Sequence, residues 1–170
     1  MVDAHGKAAR VPAEVLDGAT YVNGELIQYR APDENRQNRW GIWNGAKGAP
    51  AVKPMYENME RFEDDWAKVQ HQDNWGVMNR EGKWVIPATH AGSYDMEYLG
   101  NGLMLIDDPE AKRKRPGYSD SAYRLVNLHT GKASEPIVGK PQKLQGGRYL
   151  GELADASAVL FDAQGAAVRV

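Results

Sequence analysis

Trp75-Gly76-Val77-Met78-Asn79-Arg80-Glu81-Gly82-Lys83-Trp84-Val85-Ile86-Pro87 carries most of the information about how this chain folds. Two short apolar runs flank an Asn-x-x-Gly stretch, and runs of about five residues bounded by Gly, Asn and Pro are strand signals. Asn or Asp followed by Gly supplies the positive φ that a tight turn needs. The stretch therefore predicts a hairpin of Trp75–Asn79 and Lys83–Ile86, turning through Arg80, Glu81 and Gly82. Pro87 has no N–H to give to a ladder and should end the pairing. Upstream, Trp66–Gln70 is placed to pair with Trp75–Asn79 across His71, Gln72, Asp73 and Asn74, which makes a three-stranded unit.

The pattern recurs. Trp40-Gly41-Ile42-Trp43-Asn44, followed by Lys47, Gly48, Val52, Lys53 and Pro54, is a second clear copy. Alignment on the turn brings out weaker copies at Leu125–Lys132 with Pro136 and at Val2–Lys7 with Pro12, and a partial one at Val159–Gly165. The turn anchors fall at 3, 44, 79, 127 and 162, so the steps are 41, 35, 48 and 35 residues, a basic period near 35 with loop insertions. Pro12, Pro54, Pro87 and Pro136 follow their anchors by 9, 10, 8 and 9 residues. Strand-like runs at Glu25–Tyr29, Trp66–Gln70, Leu103–Ile106 and Arg148–Gly151 keep the same phase. These features predict one repeat domain over 1–170, with units near 1–38, 39–73, 74–121 and 122–156 and a partial unit at 157–170.

In Trp40-Gly41 and Trp75-Gly76 a large indole precedes a residue without a side chain. The indole suits packing against a neighbouring unit, and the glycine leaves room for a close backbone approach. Trp43, Trp66 and Trp84 are less tied to the pattern and are the candidates for a surface patch. The motif Trp-Gly-[Val/Ile]-x-Asn, Gly-Lys, [Val/Ile]-x-Pro, with a later aromatic such as Tyr56 or Phe62, resembles the WG repeat of bacterial tandem-repeat proteins. The resemblance is strong over about 39 to 107 and erodes at both ends, where Tyr123-Arg124 and Ala158-Val159 replace Trp-Gly. It implies tandem β units and an interaction role, with no shared catalytic residues or cofactor. The expected fold is all-β, with hairpin or three-stranded units stacked as a solenoid or an open propeller-like array. Helix should be scarce, with at most a turn between Tyr56 and Trp66.

Composition narrows the function. A net charge of −2 provides no field to attract nucleic acid or an anionic membrane. The chain has no cysteine, which excludes disulfides, thiolate metal sites and a cysteine nucleophile. Met1 to Pro12 lacks the apolar run of a signal peptide, and no segment reaches membrane-spanning length, so no membrane insertion is expected. This reads as a soluble chain, cytoplasmic by default. Because the array begins and stops inside a unit, it also reads as a piece of a longer protein, which would leave secretion or the periplasm open.

No catalytic motif is evident. His5, His71 and His129 fall in turns or loops, and His90 stands where a packing aromatic is expected. Glu63-Asp64-Asp65 and Asp107-Asp108 lack the alternating ligands and glycine of a calcium loop. The serines lack the glycine-flanked setting of an esterase nucleophile. The expectation is therefore a non-enzyme without cofactor or metal, a hydrolase with an unrecognised site being a distant alternative.

Two insertions are left over for function. Ala31–Arg39 includes Arg36, and Asp107–Asp120 includes Lys112, Arg113, Lys114, Arg115 and Tyr118. Insertions at equivalent junctions of an array emerge together, often on the binding face. With Trp43, Trp66 and Trp84 these residues form the candidate binding set. The expected role is a protein-interaction module with a protein partner. A glycan or cell-wall binding module and a toxin-neutralising immunity protein are the alternatives.

Overall fold

The computed structural model describes residues 11–114 and 121–168. Their strands form four antiparallel sheets of four strands, each a simple meander in which consecutive strands are neighbours. Sheet I holds β1 (Ala19–Asn23), β2 (Leu26–Pro32), β3 (Asn38–Asn44) and β4 (Ala49–Tyr56). Sheet II holds β5 (Asn58–Met59), β6 (Trp66–His71), β7 (Asn74–Asn79) and β8 (Trp84–His90). Sheet III holds β9 (Met96–Gly100), β10 (Leu103–Asp107), β11 (Ala122–Asn127) and β12 (Ile137–Val138). Sheet IV holds β13 (Gln142–Lys143), β14 (Tyr149–Glu152), β15 (Ala158–Phe161) and β16 (Ala167–Val168). Two short helices, α1 (Ala13–Asp17) and α2 (Pro109–Lys114), complete the regular structure apart from brief 3-10 turns. Sheets I and II lie in one compact unit, Met1–Ser93, and sheets III and IV in another, Tyr94–Val170.

The sequence period and the sheet have different phases. The repeat begins at its tryptophan, in the third strand of a sheet, whereas the sheet begins two strands earlier. The runs that follow each anchor become the second strands β2, β6, β10 and β14, each paired with the third strand after it. The first strand of each sheet is the addition to the expected three. β9 has five residues and buries Met96, but the other three are short or exposed: β5 and β13 have two residues each, and only Asn23 in β1 is even partly buried. Such strands lack the in-out alternation that betrays a half-buried strand.

The turn anchors have one shared task. Asn44 accepts the Lys47 amide, Asn79 those of Glu81 and Lys83, Asn127 those of His129 and Thr130, and Asp162 those of Gln164 and Ala166. Each thus forms a side-chain-capped turn between the third and fourth strands of its sheet. Gly48, Gly82, Gly131 and Gly165, at φ of 62°, 76°, 71° and 78°, complete these turns. The expected anchor at Asp3 lies outside the described residues.

Proline does not end the pairing, contrary to expectation. β8 runs through Pro87 to His90, which faces Trp75, and β4 runs through Pro54 to Tyr56, which faces Trp40. The fourth strand is an edge strand with a register shift beside the proline, so the missing N–H breaks no ladder. The bulged backbone lies directly over the Trp-Gly glycine. A Cβ on Gly76 would stand 2.5 Å from the Ile86 carbonyl oxygen, and one on Gly41 would stand 2.9 Å from that of Val52. The Trp-Gly and Val/Ile-x-Pro motifs are two halves of one contact.

The repeat tryptophans are buried, Trp40 at 8% exposure and Trp75 at 9%. In the first unit Leu26, Trp40, Ile42, Val52 and Tyr56 of sheet I pack with Met59, Phe62, Ala67, Val69 and Met78 of the sheet II segment. In the second, Leu103, Leu105, Leu125 and Ile137 pack with Tyr149 and Phe161. Two clasps reinforce the first core. The buried Gln28 donates to the Glu60 carbonyl at 2.8 Å and accepts from the Phe62 amide at 3.1 Å. Arg80 donates to the side chain and carbonyl of Asn23, both at 3.1 Å, and pairs with Glu25 at 3.3 Å. Between Tyr56 and Trp66 there is no helical turn; β5 and a bridge between Glu63 and Trp66 occupy the segment.

Candidate functional site

Strand residues alternate between faces, and this places Trp40 and Trp43 on opposite sides of sheet I. Trp40 belongs to the core shared with sheet II, whereas Trp43 packs with Val15, Ile27, Tyr29 and Ala31 on the opposite face. Helix α1 covers part of that face through Val15. A groove of about 660 Å³ remains beside it. Tyr29 and Trp43 line the groove, Pro32, Pro50 and Pro54 border it, and Met55, 47% exposed, stands on its rim. The volume lies within the range of about 300–1,000 Å³ typical of ligand pockets.

The β2–β3 connection, one of the two insertions, supplies the polar wall. Asp33 accepts the amides of Asn35 and Gln37 at 2.8 and 2.9 Å and pairs with Arg39 at 3.5 Å. The Gln37 amide, with that of Asn35 and the Arg39 guanidinium, holds the Asp33 carboxyl below its ordinary 3.8 against the opposing effect of desolvation. Arg39 also reaches Glu57 at 3.6 Å. Both groups are therefore engaged within the protein. Glu14, Glu34 and Lys53 also line the groove, are exposed, and make no ion pair among the described residues.

Beneath this lining are two underused polar groups. The Trp43 indole N–H is buried without an acceptor among the described residues; such an orphaned donor costs about 1–3 kcal/mol. The Tyr29 hydroxyl makes no hydrogen bond there either. Burial raises its pKa above the ordinary 10.0, and the Glu14 carboxylate adds to the rise. Tyr29 is therefore a neutral donor at physiological pH.

The other candidate residues are dispersed. Arg36 is exposed at the tip of the β2–β3 turn with φ of 61°. Trp43 and Trp66, expected at the surface, are buried at 7% and 8% exposure, because strand alternation points each ring into a packed face. Trp84 is half-buried, edge-on to Tyr56 at 5.6 Å. Lys112 pairs with Asp107 at 2.6 Å, and that hydrogen bond raises its pKa, so its charge is compensated locally. Arg113 is exposed on α2. Lys114 ends α2, and its side chain, like Arg115 and Tyr118, lies outside the described residues. Both insertions occupy the same connection, between the second and third strands of sheets I and III.

Two further recesses lie in the second unit. One of about 450 Å³ is lined by Leu153, Val159 and Phe161, and its Asn127 and Ser134 are engaged in turn hydrogen bonds. A smaller one, about 180 Å³, lies among the closed Lys112–Asp107 and Lys140–Glu97 pairs. Among the described residues no group of three or more His, Asp or Glu side chains is arranged to hold a metal, and no helix is long and apolar enough to cross a membrane.

Comparison with known proteins agrees with this picture over part of the chain. The WG containing repeat family matches residues 40–75 and 75–89. The first match spans one step between Trp-Gly motifs. No curated protein matches. Among solved structures the chain is similar to a puromycin hydrolase S511A mutant complexed with PGG, at 14% identity and a TM-score of 0.33, over 85% of this chain and 26% of that one.

Proposed function

We propose that this chain is a non-catalytic protein-binding module of the WG-repeat kind, which docks its partner on the face of sheet I turned away from sheet II. The observation that carries the reading is the groove beside Tyr29 and Trp43, with a donor and rim charges that have no partner among the described residues and the 31–39 insertion as one wall. The burial of Trp40 and Trp75 favours a protein partner over a glycan. Sugar stacking across an array needs exposed rings at equivalent positions, and these two rings are spent on packing. The meander topology and the core shared by the two sheets of each unit fit tandem β units.

Photo-crosslinkers placed at Arg36 and Lys53 test the reading, with one at exposed Leu150 as the control. The expected result is one protein partner crosslinked from the first two positions and not from the third, and the same complex formed from purified components. Turnover of ester, peptide or glycoside substrates, or binding to glycans alone, would defeat it.

A further inference from the structure

We propose that the recess between sheets III and IV is a socket for one tryptophan side chain presented by a protein partner. The site lies in the second unit and does not depend on the sheet I groove.

The two units are built alike, and one difference between them makes the socket. In sheet II the cross-strand row facing sheet I is Ala67, Met78 and Trp84; in sheet IV the row facing sheet III is Tyr149, Phe161 and Ala167. Met78 and Phe161 each directly precede a turn anchor, and Trp84 and Ala167 each stand two residues beyond the turn glycine, so the rows correspond residue by residue. In the first unit the Trp84 indole packs on the shared core and meets Tyr56 of β4 edge-on at 5.6 Å. The second unit has alanine at that position, and Tyr149 adds bulk only at the other end of the row. The fourth strand of the preceding sheet is curtailed as well: β4 has eight residues and β12 has two, preceded by an isolated bridge between Val126 and Ala133. The recess of about 450 Å³ opens at this place, with Leu153, Val159, Phe161 and Ala167 lining it from sheet IV and Ala133 from the β11–β12 connection.

Its chemistry suits an indole. The surface it exposes is chiefly apolar, and a tryptophan ring buries about 150–250 Å² on packing. The contact atoms are accessible: Leu153 and Val159 are half-buried, and Ala133 and Ala167 are exposed. Lys132 and Glu135 also line the recess, are exposed, and make no ion pair among the described residues. The Glu135 carboxylate is an acceptor for the indole N–H, and the Lys132 ammonium a donor for a peptide carbonyl beside the ring. A protein side chain brings such carbonyls on both sides of itself, whereas a free aromatic molecule brings none. Tryptophan is also the residue type most enriched, with tyrosine and arginine, among the pocket-filling anchors of protein interfaces.

NMR titration of the full chain tests the socket with a decapeptide carrying one central tryptophan, the same peptide with alanine in its place, and N-acetyltryptophanamide. The tryptophan peptide should bind saturably and shift the backbone amides of Ala133, Val159 and Ala167, and the alanine peptide should bind about tenfold more weakly or worse. N-acetyltryptophanamide should shift the same amides with lower affinity than the peptide. Ala167→Trp gives sheet IV the side chain that sheet II carries, so it should raise the urea midpoint and abolish peptide binding. Ala167→Glu, on an exposed edge strand, should keep the fold and weaken binding about tenfold, because it sets a charge against an apolar ring. Either variant, folded, binding the tryptophan peptide as the parent does overturns the proposal. So does equal affinity for the tryptophan and alanine peptides, or the failure of every probe to bind. N-acetyltryptophanamide binding as tightly as the peptide would make the occupant a free aromatic molecule and overturn the protein source. Binding that appears only in Tyr118→Ala would make the chain's own ring the occupant, which overturns it equally. The sheet I reading stands or falls by its crosslinks alone.

Discussion

Gly76 concentrates the logic of the repeat in one missing methyl group. Its Cα lies beneath the bulge at Ile86-Pro87-Ala88, where a Cβ would meet backbone atoms at 2.5 to 2.7 Å. Backbone cannot rotate away as a side chain can, so Gly76→Ala should cost at least the 1–3 kcal/mol usual for overpacking. Gly41→Ala should cost less, because its nearest backbone contacts are 2.9 and 3.0 Å. Urea unfolding of both variants checks the order, and equal midpoints would show that the bulge yields. Gln28 has a comparable role in the core. Gln28→Leu keeps the volume but strands the Phe62 amide and the Glu60 carbonyl, each about 1–3 kcal/mol when buried without a partner. The melting temperature should fall by several degrees; an unchanged value would mean that water replaces the amide.

The loops between strands are held by carboxylates and amides acting on backbone, and this makes them sensitive to acid. Asp33 is held below its ordinary pKa first by the Gln37 amide, and Asp155 first by the Ser157 hydroxyl and amide. Burial opposes ionisation of Asp108, but the Ala111 amide and Arg124 outweigh it. A carboxyl with a depressed folded pKa contributes stability that is present above its ordinary value and lost as pH falls through the folded one. The window therefore lies below 3.8, the ordinary value of these three groups. Melting temperatures taken from pH 6 down to 2 should decline most steeply there. Asp108→Asn should flatten the decline, and a slope identical to that of the parent would remove this carboxyl from the account. Asn79→Ala, which deletes a turn cap that does not titrate, should cost about 1 kcal/mol without altering the pH profile.

Stability at the scale of the compact unit belongs to pairs of sheets. Met78 is fully buried in the core that Leu26 and Ile42 of sheet I also enter. Met78→Ala should cost about 2–5 kcal/mol. It should also reduce hydrogen-exchange protection in β2 and β3 as well as in β6 and β7, because the lost contacts are shared. Protection lost in β6 and β7 alone would show that the two sheets open independently.

The sequence by itself determined the period, the turn anchors, and the second and third strands of every sheet. These features are local: an Asx cap, a positive-φ glycine and a short apolar run act within a few residues and leave a direct trace in the chain. It also singled out the 31–39 insertion that walls the groove. Only the tertiary structure decided which face each tryptophan meets, how edge strands such as β5 and β13 are recruited, and why pairing survives Pro87. The groove was legible in part, since the odd spacing of Trp40 and Trp43 already puts them on opposite faces of one strand. That the far face is only partly covered among the described residues, and that the Trp43 N–H finds no acceptor among them, depends on how α1 and the proline-bearing β4 pack around that ring. Burial is a property of the packed neighbours and is not encoded in any single stretch.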